Sequence, residues 1–571
     1  MKTLMKLFAC SLVLLFPVAL TAQVTGTVQI GGHSAVEKDN PARAAEYSTT
    51  ESGPDAAVSL QYQGQGFFLA VESSALATDR QDHALTFELG RMVRSHTTFS
   101  KLPHRLVHDT LPNLAGSISD VKIVYGEDLD PTAQYGIRYD QLTNHTQFQF
   151  PGAGWLTLST HFREQWRQGQ VQSLSVAHCY NCHVVSQTRA LNHHTKDAGI
   201  SAAATVANFT IKATASSRDA REREGPPLRL YNRAQHPALR TPLFDDRATY
   251  DSRNGPLPYN WYPTQEKETY KLTVTNPNLA GFSLLFSAAS SQLTNTHTGN
   301  QVEYDGLSLS FARKLSQRAR LALFLRSYSF ESTPYFYDSP EPVAVAGPYA
   351  GKTYRQQYGF DPDYLRLSAL DRDVLEGTLR LSYKLGKGTT LLGQYQIRQL
   401  DRVHVEVAPG ETTTLENQLR VQLTSRPTKG LNLRAALAFA DISHPFMHLN
   451  AACNPNPMQT VAVPSPVVPG SVQYYQMYAA RVADLTASPS RFWEARASAS
   501  YQTPTSFLAN LSVRWWDGEN QDLDLTDWAK SVAGITASVG WIPGEEWQAH
   551  LGATLGRMQT KAFFCIPVMD G

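Results

Sequence analysis

From residue 269 onward, hydrophobic and polar positions alternate in paired runs. Tyr270, Leu272 and Val274 alternate with polar neighbours, Asn276-Pro277-Asn278 turns the chain, and Phe282, Leu284 and Phe286 alternate back. Leu379, Leu381 and Tyr383 turn at Gly386-Lys387-Gly388 into Gly393, Tyr395 and Ile397. Leu419, Val421 and Leu423 turn at RPTKG into Leu431, Leu433 and Leu437, and Ala495 to Tyr501 turn at TPTS into Phe507 to Trp515. Such period-2 runs mark strands with one apolar face. The connections between these hairpins are long, above all 331–370 and 441–491. Short turns at one end and long loops at the other are the mark of an outer-membrane barrel, whose short turns face the periplasm. Runs of about nine to eleven residues suffice to cross a bilayer when tilted. A β-sandwich or propeller would alternate too, but would not need such unequal loops always at the same end. The expected fold is all-β, a large antiparallel transmembrane β-barrel of about 20 or more strands.

The first half is less regular. Val58, Leu60 and Tyr62 turn at Gly64-Gln-Gly66 into Phe67, Leu69 and Val71, and strand-like runs come next at about 133–140, 145–150, 155–163 and 170–177. AATVANFTIKAT (203–214) reads as one further alternating run, followed by a polar segment over 215–268. The stretch KLPHRLVHDTLPNL, with His104 and His108 between prolines, breaks the rhythm. Residues 101–116 are therefore expected to form a plug or a lid, or an ordinary surface loop. At the N-terminus, basic MKTLMK, an apolar core from Leu7 to Leu20 and Ala22 predict a cleaved signal peptide over 1–22, leaving 23–571 as the barrel. After this leader no apolar run approaches the roughly 18 residues of a helical span. With 51 basic against 50 acidic residues, nothing indicates nucleic acid as a partner. The 25 Tyr and 9 Trp suit the aromatic girdles of a membrane barrel.

Residues 178–183 read His-Cys-Tyr-Asn-Cys-His. Cys179, Cys182 and His183 form C-x-x-C-H, the attachment signature of a c-type haem. Two thiols three positions apart reach the two porphyrin vinyl groups, and the adjacent imidazole reaches the iron as proximal ligand. No second C-x-x-C is present to complete a four-cysteine zinc site. Export and covalent haem attachment support each other. One covalent haem c is expected, in a binding segment over 178–199, with His183 on the iron. Candidates for the sixth ligand are His193 and His194 nearby, and His104 or His108 from the proline-flanked stretch.

Hairpin parity gives the motif a side. If 203–214 is one outward-running strand, the chain before it is periplasmic, below the barrel or folded into its lumen. By the same count Cys453 and Cys565 fall in external loops, where the oxidising exterior permits a disulfide between them or two lone thiols.

PGAGWLTLSTHFREQWRQG followed by HCYNCHVVS, on a large barrel behind a signal peptide, resembles the MtrB/PioB-like barrels of porin–cytochrome electron conduits. It is most similar to variants that carry one haem motif in the barrel chain. The resemblance implies a sheath in the bacterial outer membrane, embedded in its lipid. Inside and around it, periplasmic or lumenal and extracellular multihaem c-type cytochromes would carry electrons, with the chain's own haem as a relay. One haem cannot span a hydrocarbon layer of about 30 Å, so the chain would need such a partner. The rivals are a solute-diffusion porin with a structural or sensory haem, and a periplasmic haem enzyme. No nucleophile triad and no other metal motif favours an enzyme. The last alternating run goes outward by parity and the chain stops at Gly571 without a terminal aromatic. A closing strand beyond it is therefore expected.

Overall fold

The computed structural model describes residues 23–36, 46–47, 52–76, 80–112, 115–118, 121–124, 126–176, 184–229, 256–337, 350–352, 356, 364–366, 371–402, 413–445, 488–503, 506–521, 528–542, 544 and 547–562. The fold is all-β, of the large antiparallel transmembrane β-barrel class. Among the described residues, twenty-two strands belong to one hydrogen-bonded sheet, and six more form three two-stranded sheets. None of the helical segments among the described residues is long and apolar enough to cross a membrane. Contacts divide the chain into two compact units, one holding most of the chain up to Tyr270 and the other most of the remainder.

In the first unit the strands are β1 (Gln23–His33), β2 (Gly53–Gly64), β3 (Phe67–Leu76), β4 (Arg80–Leu89) and β5 (Val93–Leu106). The short β6 (Ala115–Ile118), β7 (Val121–Val124) and β8 (Gly126–Asp128) come next, then β9 (Tyr135–Phe150), β10 (Ala153–Val176) and β11 (Val184–Val206). β12 (Phe209–Glu222), β13 (Leu228–Arg229) and β14 (Leu257–Pro258) complete it. Tight turns join β2 to β3, β4 to β5 and β9 to β10, and they sit together. The Gly90 amide donates to Gly66 O at 2.5 Å, and the Gln149 amide to Met92 O at 2.8 Å. Every longer connection leaves from the opposite end of these strands.

β10 and β11 are 24 and 23 residues long, against 14 for β12. On one face of β10, Leu156, Leu158 and Phe162 give way to Glu164, Trp166 and Gln168. On β11 the same face passes from Ile200 and Ala198 to Lys196 and His194. The apolar part, about ten residues, is a membrane crossing. The 14 residues after Phe162, as far as Val176, project beyond it, roughly 46 Å along the strand at about 3.3 Å per residue.

The second unit continues with β15 (Gln265–Leu279), β16 (Phe282–Asn295), β17 (Gln301–Lys314), β18 (Ala319–Ser332), β19 (Tyr335–Tyr337) and β20 (Tyr364–Arg366). After these come β21 (Arg372–Gly386), β22 (Thr389–Arg402), β23 (Thr413–Thr428) and β24 (Leu431–Ser443). β25 (Arg491–Gln502), β26 (Phe507–Asn520), β27 (Trp528–Trp541) and β28 (Ala549–Lys561) end the described strands. From β21 to β28 each strand pairs antiparallel with the next. On one face Leu419, Val421, Leu423, Leu437, Leu511 and Val513 stand exposed. Tyr501 closes this band at the tight-turn end and Trp493, packed on Phe439 at 4.5 Å, closes it at the other. The eight residues from Trp493 to Tyr501 span roughly 26 Å at the strand rise, the height of a lipid-facing band between aromatic girdles.

Three expectations need correction. The run 203–214 is not one strand: Ala207 (φ 48°) and Asn208 (φ 69°) make a two-residue turn between β11 and β12. A two-residue turn preserves the alternating rhythm, which hides it in the sequence. The strand count therefore shifts by one, and connection 177–183 leaves from the end of β10 opposite the tight turns. The periplasmic placement of the motif loses its basis. Within 101–116, residues 101–106 extend β5 and pair with β9, with Pro103 opposite Arg138, so that part is sheet and not an insertion. Beyond Asn276-Pro277-Asn278, β15 runs on to Leu279, and Ala280 (φ 52°) and Gly281 (φ 86°) make the turn.

Leu437 lies midway along the apolar face of β24. Leu437→Arg is expected to destabilise the folded barrel by about 2–4 kcal/mol, whereas Ser500→Lys on the polar face should cost far less. Urea unfolding in lipid measures both, and equal losses would contradict the assigned faces.

Candidate functional site

The projecting β10/β11 hairpin is the scaffold of the haem motif. Its register closes at Val176 opposite Val184, so a seven-residue connection, 177–183, holds Cys179, Cys182 and His183. These three residues lie outside the described residues, as do Cys453 and Cys565. The donor set itself fits a c-type haem, since both thiols and the imidazole fall within one connection whose ends are pinned.

The end of the hairpin next to 177–183 is braced from one flank by the segment after β5. β8 pairs with the start of β11 in parallel, Gly126 with Val184 through Asp128 with Ser186. Asp128, with its side chain 3% exposed, accepts from Ser186 Oγ at 2.7 Å and from the Asp130 amide at 3.2 Å. Its other oxygen lies 2.5 Å from His108 Nε2. Asp130 accepts from the Thr188 amide at 2.5 Å, and Gln172 donates to Ser186 Oγ at 3.0 Å and to Asp109 O at 2.6 Å. Burial alone would raise the Asp128 carboxyl, but the bonds from Ser186, the Asp130 amide and His108 outweigh it and hold the group below its usual range.

On the other flank Asn260 donates to Ser173 Oγ at 2.6 Å and accepts from Arg189, whose guanidinium lies 4.1 Å from the Tyr262 ring centroid. Ser173, Val185, Ser186, Arg189 and Leu191 are buried there. A hairpin that left the membrane unsupported would be held only by its own ladder. These side-chain bonds to both flanks make it a stalk of fixed position.

The four expected sixth ligands fare differently. His193 and His194 are near the motif in sequence, but extended β11 carries them nine or more residues from Val184, roughly 30 Å at the strand rise. His194 is buried, stacked on Trp166, with Nε2 2.7 Å from Glu164 and Nδ1 2.7 Å from Arg223. His104 pairs in register with Ile137 and stacks on Tyr47 at 4.5 Å, its Nε2 2.8 Å from Glu46. His108 is the one brought to the end of the hairpin next to 177–183, through Asp128 to Ser186, three residues after His183. Both its ring nitrogens are engaged, Nδ1 by Ala133 O at 2.9 Å and Nε2 by Asp128. As placed, both ring nitrogens are taken up in bracing the stalk.

Sequence reasoning missed Asp128, Gln172, Ser186 and Arg189, which carry no motif and acquire their roles only through strand register. It also missed a row of histidines on adjacent strands, His96 opposite His145 and His145 opposite His161. No group of three or more His, Cys, Asp or Glu among the described residues could hold a metal ion.

Fold and faces define the class: a β-barrel protein of the bacterial outer membrane. No family model and no curated protein matches the chain. Among solved structures it is similar to a mutant of the ferric enterobactin receptor PfeA from Pseudomonas aeruginosa, at 9% identity over 95% of this chain and 81% of that one, TM-score 0.48. The ferric-catecholate import receptor Fiu from E. coli K12 gives 8% over 95% and 81%, TM-score 0.42. The iron transporter FrpB from Neisseria meningitidis gives 10% over 92% and 75%, TM-score 0.46. These are two receptors and a transporter. At such identities and scores no ligand or partner carries over to this chain. They do correct the expected kinship with MtrB/PioB-like sheaths, because these proteins are ferric enterobactin and ferric-catecholate receptors and an iron transporter, and not electron conduits. The electron-transfer role and the multihaem cytochrome partners, which rested on that kinship, are withdrawn with it. The physical reason is plain: period-2 strands and unequal loops specify a barrel, and barrels serve many functions.

The brace yields a pH prediction. A carboxyl with a lowered folded value contributes its full stability above the unfolded carboxylate range and loses it as pH falls through the folded value. Hydrogen-exchange protection at Val184–Thr188 is therefore expected to fall on acidification. Asp128→Asn should lower that protection already at neutral pH and flatten its acid dependence. Identical exchange in the two proteins would remove the brace.

Proposed function

We propose that the chain is an outer-membrane transport barrel that moves a polar solute along the polar face of its sheet. The observation that supports this best is the two-faced sheet from β21 to β27. An aromatic-bounded apolar face meets lipid, and the opposite face is lined by Gln394, Gln422, Ser498, Ser512 and Thr536 together with charged side chains. Lipid gains nothing from such a face, and a water-filled interior does. Proteoliposomes of the full chain should swell in an iso-osmotic neutral sugar, and swelling no faster than in protein-free liposomes would sink this reading.

The reading includes one covalent haem c on Cys179 and Cys182, with His183 on the iron. Short turns face the periplasm in outer-membrane barrels, so the opposite end of β10 points outward. The haem then sits at the outer tip of the stalk, well beyond the bilayer. Bound there, it would supply a redox-active iron with one imidazole ligand from this chain. Made in a host with cytochrome c maturation, the denatured protein should keep haem stain and a thioether-type haemochrome spectrum. A polypeptide of unshifted mass would refute the attachment, and a motif shielded from protease on intact cells would refute the outward placement.

A further inference from the structure

The polar face of the second unit carries a positive charge that the chain's own carboxylates do not balance. On β25 and β26, Arg496 stands directly opposite Arg514, two like charges in one cross-strand pair. Such pairs are destabilising unless a counter-charge is shared between them. Glu494 is shared: Arg496 Nη2 donates to it at 2.6 Å and Arg514 Nε at 3.1 Å. One carboxylate thus serves two guanidinium groups.

On β21 to β24 the surplus grows. Arg434 donates to the neutral Gln422 at 2.7 Å, and Arg380 to the neutral Gln394 at 2.8 Å. Arg420 lies between these strands, opposite Gln394 and Ala438, and has no hydrogen bond or ion pair among the described residues. Arg420, Arg434, Arg496 and Arg514 together line one cavity of about 430 Å³, and no carboxylate lines it. The room comes from small residues: Ala436 faces Arg496 across the ladder, and Gly534 faces Arg514. Larger side chains at either position would fill the space between the guanidinium groups.

The charge continues toward the tight turns. Thr424 and Arg426, farther along β23, line a second cavity of about 780 Å³ with Arg318, Lys384, Lys387 and Thr389, again without a carboxylate. Arg420 and Arg426 are six residues apart, roughly 20 Å of strand. The result is a basic track along this face, leading to the end of the strands where short turns lie.

We infer that the cavity under Arg420, Arg434, Arg496 and Arg514 is a binding site for a small solute bearing two or more oxyanion groups. The planar guanidinium fork matches carboxylate or phosphate oxygens two at a time, which an ammonium does not. Four forks around one cavity suit a multiply charged anion, and the track toward Arg426 and Lys384 gives it a second basic station. The site deepens the transport reading and rests on it, since it names the class of solute on the same polar face.

The test uses the full chain folded in detergent micelles and titrated calorimetrically with inorganic pyrophosphate and, separately, with citrate. Wild-type protein is expected to bind at least one of them, with affinity falling as sodium chloride rises. Arg420→Gln combined with Arg434→Gln should weaken that binding by about tenfold or more while heat-modifiability stays unchanged. Arg434→Lys, which keeps the charge and loses the fork, should fall between. Preference for pyrophosphate or citrate distinguishes phosphate from carboxylate chemistry. No binding of either at millimolar concentration, or equal binding by the double variant, overturns the site. Sugar swelling reports on the transport reading separately: swelling without anion binding removes the site alone, and anion binding without swelling removes transport alone.

Discussion

In hydrocarbon no water is available to a peptide group, so every amide and carbonyl crossing it must find a partner within the protein. The antiparallel ladder answers that constraint in this chain. From β21 to β28 each strand bonds to the next in sequence, with register irregular only beside turns such as those at Gly388 and Gly430. Once the ladder is fixed, the side chains have no freedom in which way they face. Leu419, Val421 and Leu423 must share one side, and Arg420 and Gln422 the other. Backbone satisfaction alone sets the lipid face and the aqueous face, before any side-chain contact is counted.

The same constraint explains why the long hairpin needs help. Inside the bilayer β10 and β11 are held by neighbours on both edges over their whole length. Farther out their neighbours end, β12 at Glu222 and β9 with Gly136 opposite Gln170, yet the hairpin continues to Val176 and Val184. There water competes for the exposed ladder edges, and order must come from side chains. Asp128 supplies it on one edge, bonded to Ser186 and set against His108, and the Asn260–Arg189–Tyr262 group supplies it on the other. A stalk braced in this way holds whatever its tip carries at a fixed distance from the bilayer. His108, the one candidate ligand brought to the hairpin end next to 177–183, is used as part of the brace.

Much of this could be read from the sequence, and its limits have a common physical origin. Alternation reveals strands because a half-buried strand must alternate, and Gly388 and Gly430 mark turns because those positions need a positive φ. Ala207 gives no such mark, being a residue that rarely adopts φ 48°, so the turn it makes with Asn208 was invisible. That single unseen turn removed the basis for the side assigned to the motif. His193 and His194 looked close to His183 because separation along the chain is not distance, and an extended strand makes the two diverge fastest. The brace residues were hidden for the opposite reason, since Asp128 and Ser186 are 58 positions apart and only register brings them together.

Net charge misleads in a related way. A chain with 51 basic and 50 acidic residues looks electrostatically featureless. Alternation sorts charges by face, and position along the strand sorts them again by height. On the polar face of the second unit Glu376 and Glu416 lie around Arg398, and Glu494 is taken up between Arg496 and Arg514. Closer to the tight turns the same face holds Arg420, Arg434 and Lys384 and, among the described residues, no acidic partner for them. Charges separated by more than a Debye length of about 8 Å do not neutralise one another through water, so the carboxylates farther along the ladder leave this region positive. A solute in the interior meets that local field and not the average. The selectivity of such a face is therefore a property of register, and a one-residue slip of β23 would turn Arg420 into lipid and abolish it.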